Sequence, residues 1–346
     1  MRSREVLKRT THAGLSGLSA QVYDLLKQSK KRWSTHALSS HFDVGMARID
    51  EAISHLDDSF VTLHTAPEGV ALNRELSPVI DTTSIPLAAM AGREVIFGLT
   101  ADNHLGSRYS RLDVLEALFD IWASEGVETV YQLGNIIDGE ARFNKFDIVA
   151  YGIEGQVDYL VRHWPQRPGI TTMFITGDDH EGWYIQREGI DIGRYIQHKA
   201  EAAGRSDLVY LGHMEHDLLL GDHCRMRLIH AGGGSAYALS YAPQKIIESY
   251  TGGTKPDVLL IGHYHKAEYG YVRNVHYIQA GATQDQTPFM RKQKIQSHVG
   301  GWTVRFTLSE SGHIHRFQPT WDPFYDREYY ERQWKYGWNG TSTSLN

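Results

Sequence analysis

The stretch Val95-Ile-Phe-Gly-Leu-Thr-Ala-Asp-Asn-His104 decides how this chain is read. Its apolar start predicts a buried strand. Residues two apart on a strand share a face, so Asp102 and His104 would project a carboxylate and an imidazole together from the strand's carboxyl end. That is half of a metal site. An isolated Asp-x-His triplet is also what a solvated strand end looks like, so its meaning depends on what the later strands carry.

They carry more of the same. Val127-Glu-Thr-Val-Tyr-Gln-Leu133 predicts a second strand ending in Gly134-Asn-Ile-Ile-Asp-Gly139, and Thr172–Thr176 a third ending in Gly177-Asp-Asp-His-Glu181. Helical periodicity over Leu112–Trp122 and around Val149–Trp164 separates them. Strands alternating with helices predict βαβ units, in which ligand groups collect beyond the carboxyl ends. Met226–Ile229 then leads to His230 and Ala231-Gly-Gly-Gly234, and Val258–Ile261 to Gly262-His-Tyr-His265. The glycine run has no Gly-Lys-Ser/Thr after it, so it is no triphosphate cradle. His213, His216 and His223 have no comparable pattern and read as ordinary surface or core histidines.

Taken in order, Asp-x-His, Gly-Asn-x-x-Asp, Asp-His-Glu, His and Gly-His-x-His resemble the calcineurin-like metallophosphoesterase family over about residues 93–320, in its nuclease-like branch. The resemblance implies an α/β fold, a sandwich of two β-sheets flanked by helices, with two divalent metal ions at the strand ends. Asp102, His104 and His265 would hold the first and His230 and His263 the second, with Asn135 and Asp179 completing the set. Such donors suit Mn²⁺, with Fe or Zn²⁺ as alternatives, better than Ca²⁺ or Mg²⁺. The resemblance also implies that His180 protonates the leaving oxygen and that Asp138 orients it.

Two positions depart from the family pattern, which has Asp at the place of Asn135, bridging both metals, and Asn at the place of Asp179. The changes are opposite in sign, so the seven candidate ligands keep two carboxylates. A carboxamide bridges weakly, because its nitrogen does not coordinate and its oxygen carries little charge. The expectation is that Asp179 supplies the missing carboxylate, as a stronger ligand of the second metal or by leaning in as the bridge. The rival is that Asn135 inactivates the site. The protein-phosphatase branch has Arg directly after the place of Asp138. Here Gly139 stands there, which argues against a protein phosphatase and leaves Arg142 as the candidate substrate-binding residue.

The flanks read differently. Residues 1–75 predict three helices and a hairpin around Pro67-Glu-Gly69, resembling a winged helix-turn-helix domain, with 76–92 as a linker. This segment holds 10 Lys/Arg against 9 Asp/Glu, and its third helix sets Arg48 beside Asp50 and Glu51, a poor surface for neutralising phosphates. Its best basic cluster is Lys27, Lys30, Lys31 and Arg32. Val299–Phe317 predicts an edge hairpin closing the second sheet. An aromatic-rich extension, 321–346, would pack as a strap, form an oligomer contact or stack on unpaired bases, and 339–346 reads as a disordered tail.

The chain has 346 residues, 41% of them hydrophobic and 22% charged, with a net charge of -6. That fits a globular protein of more than one domain and excludes a wholly basic nucleic-acid coat. One cysteine, Cys224, excludes an internal disulfide and fits a reducing compartment. With no signal-like start and no membrane-length apolar run, the expected location is cytoplasmic. The function these features lead to is metal-assisted phosphoester hydrolysis, with DNA as partner because repair nucleases belong to the family and a winged-helix-like module precedes the domain. The alternatives are a phosphomonoesterase or small-nucleotide phosphodiesterase with a module for protein docking, and a lapsed DNA-binding or assembly protein. Metal analysis separates them at Asn135. Two metals per chain with turnover as the sequence stands is the expected result, and a metal-free, inert chain revived by Asn135→Asp would make Asn135 the lesion.

Overall fold

The computed structural model describes residues 15–76, 81–86, 94–234 and 236–324. The expectations for the chain start, for parts of the linker and for the aromatic residues after Phe324 lie outside these residues. Helices α1 (Gly17–Gln28), α2 (Thr35–Phe42) and α3 (Met46–Asp58) are followed by strands β1 (Leu63–Ala66) and β2 (Gly69–Leu72), paired antiparallel. Val22, Leu26, Leu38, Ile49 and Leu56 bury their helix faces together against Val70 and Leu72. The outer face of α3 leaves Arg48, Asp50 and Glu51 exposed. This unit is tied to the rest of the chain by Tyr23 Oη donating to Glu188 O at 2.9 Å and Thr62 N to Gly189 O at 2.7 Å.

The stretch expected as a linker contains strand β3 (Asp81–Ile85), which pairs parallel with a later strand at a sheet edge. Asp81-Thr-Thr-Ser-Ile85 is mostly exposed and polar, so it lacks the apolar alternation that announces a strand. After it come β4 (Glu94–Thr100), α4 (Leu112–Ser124), β5 (Thr129–Leu133), α5 (Gly152–His163), β6 (Thr171–Thr176), α6 (Trp183–Glu188), α7 (Ile192–Ala202), β7 (Leu208–His213), β8 (Glu215–Leu220) and β9 (Cys224–His230). The remainder is α8 (Tyr241–Ser249), β10 (Val258–Gly262), β11 (Ala267–Val272), β12 (Val275–Ala280), α9 (Pro288–Gln293), β13 (Gly300–Leu308) and β14 (Ile314–Pro323).

Two six-stranded sheets result, ordered β14-β13-β4-β5-β6-β7 and β11-β12-β10-β9-β8-β3. Strand alternation builds the layers. Phe97, Leu99, Leu133 and Ile175 of the first sheet meet Leu218, Met226, Leu228 and Leu260 of the second between the sheets. On the outer side of the first sheet, Val130 and Phe174 meet Leu118, Trp122, Leu160 and Ile196 of the helices. Leu259 and Ile261 pack outward near Ile247 of α8. The architecture is therefore α/β, two sheets face to face with helices outside.

The β13–β14 hairpin does not close the second sheet as expected. It joins the first, where β13 pairs antiparallel with β4, and β14 runs to Pro323, past the boundary expected at 320. Trp302, Val304 and Phe306 are buried between the sheets. An apolar β13 needs a neighbour on both edges, and sequence position does not name the partner. A Cβ at Gly98 of β4 would lie 2.6 Å from the Trp122 ring. Gly98→Ala is therefore expected to lower unfolding stability by about 1 to 3 kcal/mol, read as a lower urea midpoint with unchanged slope. An unchanged midpoint would refute this packing of α4.

Candidate metal centre and cleft

The carboxyl ends of β4, β5 and β6 in one sheet and β9 and β10 in the other meet at one edge of the sandwich. Past its strand, Asp102 N donates to Gly134 O at 3.0 Å and His104 N to Asn135 O at 2.9 Å, so the β4 and β5 segments stay paired as they turn. Asp102, His104, Asn135, His180, His263 and His265 all have positive φ, between 45° and 90°. Each such non-glycine residue costs about 1 to 3 kcal/mol and persists only where the surroundings over-determine it. Strain gathered on six of the sequence-selected residues points to a functional site. His230 needs close approach as well, since a Cβ at Gly134 or Gly177 would come within 2.3 or 2.5 Å of its ring.

Two clusters form. In the first, Asp102, His104 and His265 converge: His104 Nε2 lies 3.4 Å from His265 Nε2, and Asp102 Oδ1 lies 3.9 and 3.6 Å from those nitrogens. In the second, Asp179 faces two imidazoles, Oδ1 at 3.2 Å from His230 Nε2 and Oδ2 at 3.4 Å from His263 Nδ1. Three of the ring nitrogens turned away from the clusters are held by acceptors. His230 Nδ1 bonds Leu133 O and His263 Nε2 bonds Gly233 O, both at 2.7 Å, while His104 Nδ1 bonds Asp138 Oδ1 at 3.0 Å. Such bonds set the tautomer that leaves the inward nitrogen free to coordinate.

Asn135 lies at the first cluster, its Nδ2 donating to Asp102 Oδ1 at 3.2 Å. Its Oδ1 is buried with no hydrogen-bond partner, as are Nδ1 of His263 and His265. An orphaned buried Asn135 Oδ1 beside converging imidazoles and carboxylates fits divalent cations, so the residues present suit the implied metals. Both Asp179 oxygens are engaged by the second cluster's imidazoles.

The two clusters differ in protonation. Burial pushes the His265 imidazole down to about 3 and lowers His104, leaving neutral ligands. Burial also opposes charge on His230, but the adjacent Asp179 outweighs it and pushes the imidazole up to about 10. Asp179 raises His263 in the same way against burial, so the second cluster favours charged imidazoles more than the first does.

Asp138 and His180 sit beside these clusters, with His180 held more closely by the Asp138 carbonyl than by its carboxylate. The Asp138 carboxylate chiefly holds His104, and its Oδ1 is 3.5 Å from His180 Nδ1. That nitrogen bonds the Asp138 backbone carbonyl instead, at 2.8 Å. His180 is pushed up to about 9, because the Asp138 and Asp179 carboxylates overcome the opposing effect of burial. Asn144 Nδ2 steadies Asp138 Oδ2 at 3.0 Å. Arg142 is exposed and is not among the residues lining the cleft, a cavity of about 480 Å³. A short helix-free excursion after β5 turns Arg142 outward, which spacing from Asp138 alone does not reveal.

Glu181 closes the Gly177–Glu181 motif and carries a structural role that the motif alone does not announce. Fully buried, it accepts from Asn135 N at 2.7 Å, Gly177 N at 2.8 Å and Ile137 N at 3.3 Å, clamping the β5 and β6 ends together. The signal in the sequence is an acid closing a motif that follows an apolar strand. His213 and His216 bond Thr176 and Thr83 hydroxyls outside the clusters, in keeping with ordinary structural roles.

No protein-family model and no curated protein matches the chain in sequence. Among solved structures, an archaeal phosphodiesterase is similar at 12% identity and a TM-score of 0.36, covering 66% of this chain and 100% of its own. Wild-type Vps29 of Entamoeba histolytica, complexed with Zn²⁺, is similar at 12% identity and a TM-score of 0.32, covering 66% and 99%. Vps29 of Cryptosporidium parvum is similar at 11% and 0.31, covering 66% and 98%. At TM-scores of this size the chemistry has to come from the chain's own residues.

The protonation difference has a measurable sign. A cation entering the second cluster must displace a proton, whereas the first cluster is already neutral. In calorimetric titrations with Mn²⁺ or Zn²⁺ between pH 6 and 8, one site should bind with little pH dependence, and the other should tighten about tenfold per pH unit for each proton released. Equal slopes for both sites would contradict the asymmetry.

Proposed function

We propose that this protein is a metal-dependent phosphoesterase acting on phosphodiesters, with DNA as the substrate. The observation that carries it is the pair of three-ligand clusters, Asp102/His104/His265 and Asp179/His230/His263, opening with Asn135 and His180 into one cleft. Divalent cations held there would neutralise phosphoryl charge and lower the pKa of an attacking water.

The chain's own groups do the rest. His180, its Nδ1 tied to the Asp138 carbonyl, presents Nε2 as a proton donor, and the nearby carboxylates favour its charged form. Water oxygen bonds to phosphorus as the bond from phosphorus to the leaving oxygen breaks. His180 gives that oxygen its proton, and the proton lost by the water restores the imidazole. Asn144 and Asp138 keep the geometry fixed between turnovers. A carboxylate clamp on a backbone, supplied by Glu181, holds Asn135 and the β6 loop in register.

DNA is favoured by the three-helix unit with a hairpin that docks on Glu188 and Gly189, at the end of the helix that follows His180. A specific observation favours a second reading, a small-nucleotide diester with the unit serving for protein docking. The exposed face of α3 mixes Arg48 with Asp50 and Glu51, and two of the four basic residues, Lys27 and Arg32, are spent on Glu188 and Glu68.

The test uses the Mn²⁺-loaded chain with single-stranded DNA, duplex DNA, a nucleoside monophosphate and bis(4-nitrophenyl) phosphate. His180→Ala should lower DNA cleavage by about 100- to 10,000-fold while metal content is kept. Nitrophenyl ester hydrolysis should fall far less, because nitrophenolate leaves without a proton. Equal losses on both substrates would remove His180 as the acid. Cleavage of the small diester alone would favour the second reading.

A further inference from the structure

The cleft's rim carries rings that the hydrolytic chemistry leaves unused. Phe143, on the loop after β5, and Phe289, on α9, line the cleft and are 49% and 45% exposed. They lie face to face, centroids 5.0 Å apart and planes at 29°. Phe143 meets His180 edge-on at 6.3 Å and Trp183 edge-on at 5.7 Å, and Trp183 stacks on His180 at 4.7 Å. The rings therefore stand beside the proton donor.

Half-exposed phenyl rings gathered at a cleft mouth mark a surface that is covered in use. What covers it is indicated by the charge next to it. Beyond Phe289, α9 and its end expose Arg291, Lys292 and Lys294, which line a second recess with Tyr109 and Gln286. A planar apolar face beside a cationic one matches a nucleotide, whose base stacks and whose next phosphate is anionic. Base–aromatic stacking needs a free π-face, and a base inside a duplex has both faces covered.

We propose that Phe143 and Phe289 form a stacking platform for an unpaired nucleobase on the leaving-group side of the scissile phosphodiester, with Arg291, Lys292 and Lys294 receiving the next phosphate. This rests on the phosphodiesterase reading of the same cleft and narrows it: the substrate is a single strand or a frayed end. The two Phe residues are specificity determinants and take no part in proton transfer.

Binding and cleavage are measured in parallel on the full chain. The probes are thymidylyl-thymidine and the two dinucleotides that replace one thymidine by an abasic residue. Calorimetry on the His180→Ala chain should give affinity about tenfold weaker for one abasic isomer and little change for the other. Phe143→Ala and Phe289→Ala should erase that preference, while Phe143→Trp keeps it, which separates a lost platform from a misfolded loop. Lys292→Glu with Lys294→Glu should weaken a trinucleotide more than a dinucleotide. Equal affinity for all three dinucleotides would overturn the platform, as would a preference that survives Phe143→Ala. Base-dependent binding without cleavage under Mn²⁺ or Zn²⁺ would leave the platform standing and sink the hydrolase, and cleavage blind to the base would do the reverse.

Discussion

The Asp102 carboxylate joins the two sheets at the point where the site forms. It is fully buried, and its oxygens have separate duties: Oδ2 accepts from His263 N at 2.8 Å, from the second sheet, while Oδ1 accepts from Asn135 at the β5 end of the first. A buried carboxylate is tolerated only when its lone pairs are engaged, so both partners must be in place together. Removing it would cost more than one ligand. The alignment of β10 with β4 and β5 would lose both the His263 amide bond and the His265 contact at that carboxylate.

Around that tie the chain accepts unfavourable backbone geometry in return for direction. In an ordinary extended strand, ligands two apart would point along one normal. The left-handed turns at Asp102, His104, Asn135, His263 and His265 instead swing successive side chains into a common space. The glycines before Asn135, Asp178 and His263 belong to the same device. Gly134, Gly177 and Gly262 clear room for His230 and its neighbours, and Glu181 bonds the freed amides. Strain, close approach and a buried acid thus form one cooperative unit.

The placement of a carboxamide at Asn135 and a carboxylate at Asp179 also has a physical consequence. Both Asp179 oxygens face second-cluster imidazoles, and the Asn135 amide donates toward the first. Carboxylate charge is thereby divided one to each cluster rather than shared between them, and the two clusters differ in the protonation of their imidazoles. The Asn135 Oδ1 stays buried without a hydrogen-bond partner.

Much of this was legible in the amino-acid order. Apolar runs of five to seven residues ending in Asp, Asn and His made the sheets and the strand-end ligands readable, because strand periodicity and buried length are local properties. So was the three-helix unit with its hairpin, whose periodicity and turn residues are likewise local. What depended on long-range partners was not legible. The polar β3 became a strand only by pairing with β8, and the β13–β14 hairpin chose β4 because an apolar strand goes where both its faces are buried. Asp138 turned out to hold His104 with its carboxylate and His180 with its carbonyl, a choice made by the backbone turn. Arg142 pointed to solvent, while Phe143, one residue further, reached the cleft and Phe289 came to meet it across 146 residues of chain. The sequence determined which chemical groups stand at the strand ends; the tertiary structure alone decided which of them face one another, because side-chain direction is set by turns and sheet pairings that join residues far apart in the chain.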